Sequence, residues 1–175
     1  MKKSIVALAV LSSVAGTAFA QSSVTLFGVM DVAARYNKAG GNTVSSLASD
    51  GQLSSRLGVR GVEDLGGGMK AGFWLESALA VDNGVAGDQT TSPSKLWNRR
   101  STVSLSGDFG EVRLGRDKTS ERNLVDEFDV FGGLGPGDVT KTYSAMGAPV
   151  AFGSNNRTDN EVRYFLPSNL GGFYG

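Results

Sequence analysis

Apolar and polar side chains alternate with a period of two from Ser23 onward. That is the spacing of strands whose two faces meet different surroundings. In residues 23–36, Val24, Leu26, Met30, Val32 and Tyr36 share one face, and Thr25, Asp31 and Arg35 the other. In residues 53–61, Leu53, Leu57 and Val59 oppose Ser54, Arg56 and Arg60. In residues 69–79, Met69, Ala71, Phe73, Leu75 and Leu79 oppose Lys70, Trp74 and Glu76. The same pattern predicts strands over 99–107, 110–116 and 160–167, with a seventh beginning at Gly171. Each is near the roughly 9–11 residues that a tilted strand needs to cross a bilayer.

The connections are predicted to alternate in length. "VEDLGGGMK", "SGDFGEV" and "PSNLGGF" each place Leu or Phe and then Gly after a polar residue, as tight hairpin turns require. Long polar connections are expected over about 37–50, 83–95 and 118–158. Short turns on one side and long loops on the other are the sidedness of an up-and-down membrane barrel. The charges indicate which face meets lipid. Asp31, Arg35, Arg56, Arg60, Lys70 and Glu76 cannot fill a dry core without large desolvation penalties, but they can line water. The apolar faces then point outward to lipid. The fold class is therefore all-β, an antiparallel transmembrane β-barrel. Seven strands with the last cut short leave an open edge that a bilayer cannot satisfy. The chain is accordingly expected to be the N-terminal part of a longer barrel.

Composition narrows the function. Residues 1–20 resemble a signal peptide: Lys2 and Lys3 precede an apolar run from Ile5 to Val14, and Ala18-Phe19-Ala20 supplies a cleavage site before Gln21. The expected mature domain is 21–175. Without Lys2 and Lys3, acids exceed bases by two, which gives no sign of a nucleic-acid partner. Cysteine and histidine are absent, which excludes disulfides, thiolate catalysis, His-based zinc sites and Ser-His-Asp triads. No cofactor, metal site or catalytic residue is expected, and the protein is expected not to be an enzyme. Ser92-Pro93-Ser94-Lys95 matches S-x-x-K, but Lys141-Thr142 is followed by Tyr143 and the companion motifs are missing. Gly133-Leu134-Gly135 lacks the strand-then-helix setting of a dinucleotide fingerprint. Asp126 to Asp138 lacks EF-hand spacing, leaving only a looser calcium site to consider.

Two populations of charge remain. Arg35, Arg56, Arg60, Arg99, Arg100, Arg113 and Arg157 lie on or beside strands, and Asp126, Glu127, Asp129 and Asp138 lie in the longest connection. Arginine facing lipid near the midplane costs about 2–4 kcal/mol, so the lumen is the cheaper place. Facing walls of opposite charge would set a transverse field that sorts ions. The Gly-rich segment "DEFDVFGGLGPGD" could fold inward to supply the acidic wall. If Val103 and Leu105 face lipid, strict alternation turns Arg100 inward and Arg99 outward, unless a bulge changes parity.

"SSVTLFGVMD", "SRLGVRGVEDLGGGMKAGFWLE", "NRRSTVSLSGDFGEVRLGRD" and "NEVRYFLPSNLGGFYG" resemble the general porins of Gram-negative outer membranes, particularly those of betaproteobacteria. The resemblance implies a barrel of roughly 16 strands, usually a homotrimer, set among outer-membrane lipid and lipopolysaccharide. It implies passive diffusion of ions and small hydrophilic solutes through a constriction formed by an inward-folded third loop, here 119–158. It matches Arg56, Arg99 and Arg157 to the family's lumenal arginines, with Arg35, Arg60 and Arg100 as further basic candidates. Asp126, Glu127 and Asp129 match the acidic side. The alternative readings are a porin specific for a sugar or organic acid, or a non-conducting adhesin or structural barrel.

Overall fold

The computed structural model describes residues 23–89, 93–135, 137–139, 146 and 156–171. The expected signal segment, with its Ala20/Gln21 junction, lies outside the described residues, as do most of 140–155 and the seventh strand from Gly172 on. Among the described residues, nine strands and one helix follow in order. They are β1 (Ser23–Val29), β2 (Val32–Ala39), β3 (Asn42–Ser49), β4 (Arg56–Gly66), β5 (Met69–Ala80), β6 (Val85–Ala86), β7 (Arg100–Gly107), β8 (Gly110–Lys118), α1 (Ser120–Phe128) and β9 (Arg157–Phe165). The main sheet has the order β1-β4-β5-β7-β8-β9, with β6 paired to β5, and β2–β3 forms its own two-stranded sheet. All pairs are antiparallel.

Register turns the period-two sequence into rows across the sheet. One row runs Val24, Gly61, Phe73, Val103, Leu114 and Val162. The next runs Thr25, Arg60, Trp74, Thr102, Gly115 and Glu161. Adjacent rows point to opposite faces, so one face is apolar and the other polar. The apolar face is the open one: Val24 and Val162 are 69% and 75% exposed. On the polar face Thr102 and Glu76 are 5% and 9% exposed, and no hydrophobic residue among those described is buried. A water-soluble sheet protein shows the reverse arrangement.

The strand expected over 23–36 is split into β1 and β2, the expected 83–95 loop holds the short β6, and two larger features also differ from the sequence-based expectation. Residues 37–50 were expected to form a loop, but they carry the end of β2 and all of β3 around a two-residue turn at Gly40-Gly41. Nearly every side chain described in β3 is solvent-exposed, so no apolar alternation marked that strand. Asp31 ties this hairpin to the main sheet. Its carboxylate accepts hydrogen bonds from the Gly51, Gln52 and Leu53 amides at 3.0, 2.8 and 2.7 Å. Those amides hold its carboxyl below the usual carboxylate range, the Leu53 bond contributing most. The second difference is α1, in a connection without strand period where no helix was anticipated. Thr119 caps it by accepting from the Arg122 amide at 3.1 Å, and Glu121 in the first turn complements the helix dipole.

Candidate functional site

The polar face collects arginines because period two places them there. Arg56 opens β4 and Arg100 opens β7, and Glu76 on β5 stands opposite Arg100 in the register. Arg113 projects from β8 and Arg157 opens β9. Together with α1 and residues 132–135 they line a cavity of about 870 Å³. Its cationic side chains are Arg56, Arg99, Arg100, Arg113, Lys118, Arg122 and Arg157, against Asp50, Glu76, Asp117, Asp126 and Asp138. A second cavity of about 530 Å³ adjoins it and shares Trp74, Arg100 and Arg113, adding Arg60, Lys70 and Glu111.

The carboxylates of the larger cavity are all engaged. Glu76 takes Arg99 at 2.6 Å and lies 4.0 Å from Arg56. Asp117 takes Arg113 at 2.9 Å and Arg100 at 3.5 Å. Asp126 is held by Lys118 at 2.6 Å and Arg122 at 2.7 Å, and Asp138 by Arg122 at 3.5 Å. Asp50 accepts from the Ser55 amide at 2.7 Å. Three cations of the two cavities, Arg60, Lys70 and Arg157, have no carboxylate within salt-bridge distance among the described residues. Arg157 donates to the Arg99 carbonyl at 2.7 Å, and Arg60 lies against aromatic rings. The balance of charge on this face is therefore positive.

Residues 7–175 match the Gram-negative porin family. Outer membrane porin protein 32 of Delftia acidovorans is 46% identical over 175 residues, covering 99% of this chain and 48% of that protein. An outer membrane porin protein of Bordetella pertussis is 32% identical over 192 aligned positions, covering 100% of this chain and 47% of the relative. A solved structure, the anion-selective porin from Comamonas acidovorans, superposes with a TM-score of 0.68 at 42% identity over 87% of this chain and 45% of that one. The chain belongs to the Gram-negative porin family. Its fold class is an antiparallel transmembrane β-barrel, and its place is the Gram-negative outer membrane. It spans about half the length of the curated porins it matches.

Within this porin the basic candidates separate by position. Arg56, Arg99, Arg100 and Arg157 line the larger cavity, and Arg60 lines the smaller one. Arg99 and Arg100 both reach the cavity because Arg99 precedes β7, where strict alternation no longer governs it. Arg35 lines neither: it lies in the β2–β3 hairpin and donates to the Ser49 and Asp50 carbonyls at 3.0 and 2.9 Å.

The acidic candidates separate as well. Asp126 lines the larger cavity, but Lys118 and Arg122 clamp it. Gly133, with φ +68°, lies against that clamp; a Cβ there would press on the Asp126 carboxylate and strain a left-handed backbone, which favours glycine. Glu127 is exposed and lines neither cavity. Asp129 ends α1, and its carboxylate accepts from the Phe131, Gly133 and Val139 amides at 3.1, 3.0 and 3.2 Å. Those bonds lower its carboxyl below the usual range, the Phe131 amide contributing most. Among the described residues no cluster of three metal-ligating side chains occurs.

Sequence reasoning did not single out Glu76, Trp74, Asp117 or Arg122 as site residues. Glu76 and Trp74 stood on the polar face with Arg56, so parity alone could have named them. Asp117 lies beyond a register shift at Gly115, where a bulge breaks simple parity. Arg122 acts through helix spacing, four residues before Asp126, in a segment not expected to be helical.

Proposed function

We propose that the polar face is the wall of a water-filled channel that lets ions and small hydrophilic solutes diffuse across the outer membrane, with a preference for anions. The apolar rows then meet lipid. The segment from Thr119 through Asp138 narrows the passage as the described part of an inward loop spanning 119–158. Selectivity comes from Arg56, Arg60, Arg99, Arg100 and Arg157 on the wall, with Asp126 as the acid that shares their cavity. One observation carries the anion preference: Arg60 and Arg157 have no carboxylate partner among the described residues, whereas every acid lining the larger cavity is engaged. The solved relative titled an anion-selective porin supports the same sign.

Export by a leader over 1–20, cleaved between Ala20 and Gln21, belongs to this proposal. So do homotrimeric assembly and contact with lipopolysaccharide. Passage is passive and involves no bond chemistry. The test is to reconstitute the porin, expressed from its whole reading frame, in planar bilayers under a tenfold KCl gradient. Stepwise conductance with a reversal potential on the chloride side is expected. Folded porin that inserts without conducting would overturn the channel, and a reversal potential on the potassium side would overturn the anion preference.

A further inference from the structure

Trp74 occupies the join between the two cavities. One guanidinium approaches its ring from each neighbouring strand: Arg60 on β4 at 5.0 Å and Arg100 on β7 at 4.5 Å. Phe27 packs edge-on against the indole at 5.0 Å. The indole N–H donates to Glu76 at 3.1 Å, and Glu76 in turn holds Arg99. A tryptophan facing water-lined charge is expensive as a mere filler, because its apolar area would be better buried toward lipid. The pattern recurs on β8 and β9, where Arg113 and Arg163 lie 4.3 and 5.6 Å from Phe165.

Arginines that share one ring repel one another, and Arg100 has a carboxylate that it could collapse onto. Arg100 is already 3.5 Å from Asp117. A ring face attracts a guanidinium without neutralising it. We infer that Trp74 is a positioning residue: it holds Arg60 and Arg100 against the wall and keeps their charge available to passing anions. The inference rests on the channel reading above. Without the indole, Arg100 closes onto Asp117, Arg60 is free to leave its place against the wall, and Glu76 loses a donor. The positive potential at the join of the cavities falls.

The test compares Trp74→Leu and Trp74→Phe in the reconstituted porin. Trp74→Leu is expected to lower the anion-to-cation permeability ratio about threefold, and Trp74→Phe, which keeps a ring face, to restore most of it. A purely structural role would reduce the yield and heat resistance of channels but leave the reversal potential of those that open unchanged. That unchanged potential would overturn the inference. A second measurement keeps the native Trp74. With the other tryptophans replaced by phenylalanine, Arg60→Gln and Arg100→Gln should each alter Trp74 emission. Identical spectra in both variants would equally overturn it. Wild-type channels without anion preference would remove the channel reading first, which separates the two failures.

Discussion

The arginine wall and the acidic segment carry opposite charges, but they hold those charges differently. On the wall, ladder register fixes each backbone position and period two aims the side chain into the cavity. In residues 126–138 the carboxylates are spent locally: Asp129 on backbone amides, Asp126 and Asp138 on Lys118 and Arg122. Charge counted along a sequence is therefore different from charge presented to a solute. A strand spends its backbone hydrogen bonds on its neighbours and leaves its side chains free. An irregular segment must satisfy its amides with its own side chains.

The widest break of this comparison neutralises each side in turn. Arg56→Gln, Arg99→Gln and Arg157→Gln together are expected to reduce the anion-to-cation permeability ratio by about tenfold, since they remove three of the seven cations that line the larger cavity, and charges on a cleft wall set potentials of several kT. Asp126→Asn, Glu127→Gln and Asp129→Asn together should change it by less than about twofold, because none of the three presents an unengaged charge to the larger cavity. Reversal potentials of the two triple variants decide it. Equal and opposite shifts would mean that the acids act as a true facing wall.

How much of this was legible in the sequence follows the same division. The face of Arg56, Arg60, Trp74 and Glu76 could be read residue by residue, because a regular strand converts parity directly into direction. The main-sheet strands and their tight turns were legible for the same reason. Strand β3 was not, because a strand wet on both faces carries no apolar alternation. Nor was the fate of Asp126 and Asp129. Their partners are set by a helix and an Asx-type turn, in which a carboxylate binds backbone that carries no sequence signature.

A narrower test sets a pair within the wall against a pair at its rim. Glu76 and Arg99 are both largely shielded, whereas Lys95 and Asp159 are 34% and 47% exposed. Glu76→Gln removes a charged acceptor from Arg99 and should cost about 1.5–3 kcal/mol of barrel stability. Because it deletes a wall acid, it should also raise anion preference modestly. Lys95→Gln should cost less than about 1 kcal/mol, as exposed ion pairs do. Urea unfolding from lipid vesicles measures both. Equal losses would mean that the wall is as well hydrated as the rim and that burial adds nothing to the Glu76–Arg99 bond.

The smallest effect concerns acid, and it isolates the local bonding of the loop. Asp129 has its carboxyl lowered in the folded state by three backbone donors, so the ionised form is the one that orders residues 131–139. A lowered folded value means that this ordering is fully present above the free carboxylate value of about 3.9 and is lost as pH falls through the lower folded value. Amide exchange at Phe131, Gly133 and Val139 should therefore be slow at neutral pH and, once corrected for intrinsic rate, speed up only below about pH 4. Asp129→Asn keeps an oxygen acceptor but no charge. Its exchange should be faster than wild type at neutral pH and should show no acid transition. Strand β1 sets the reference, because Ser23–Val29 carries no carboxylate and its amides should show no such step. A step of equal size in the strands would show that acid loosens the whole sheet, leaving Asp129 no local role.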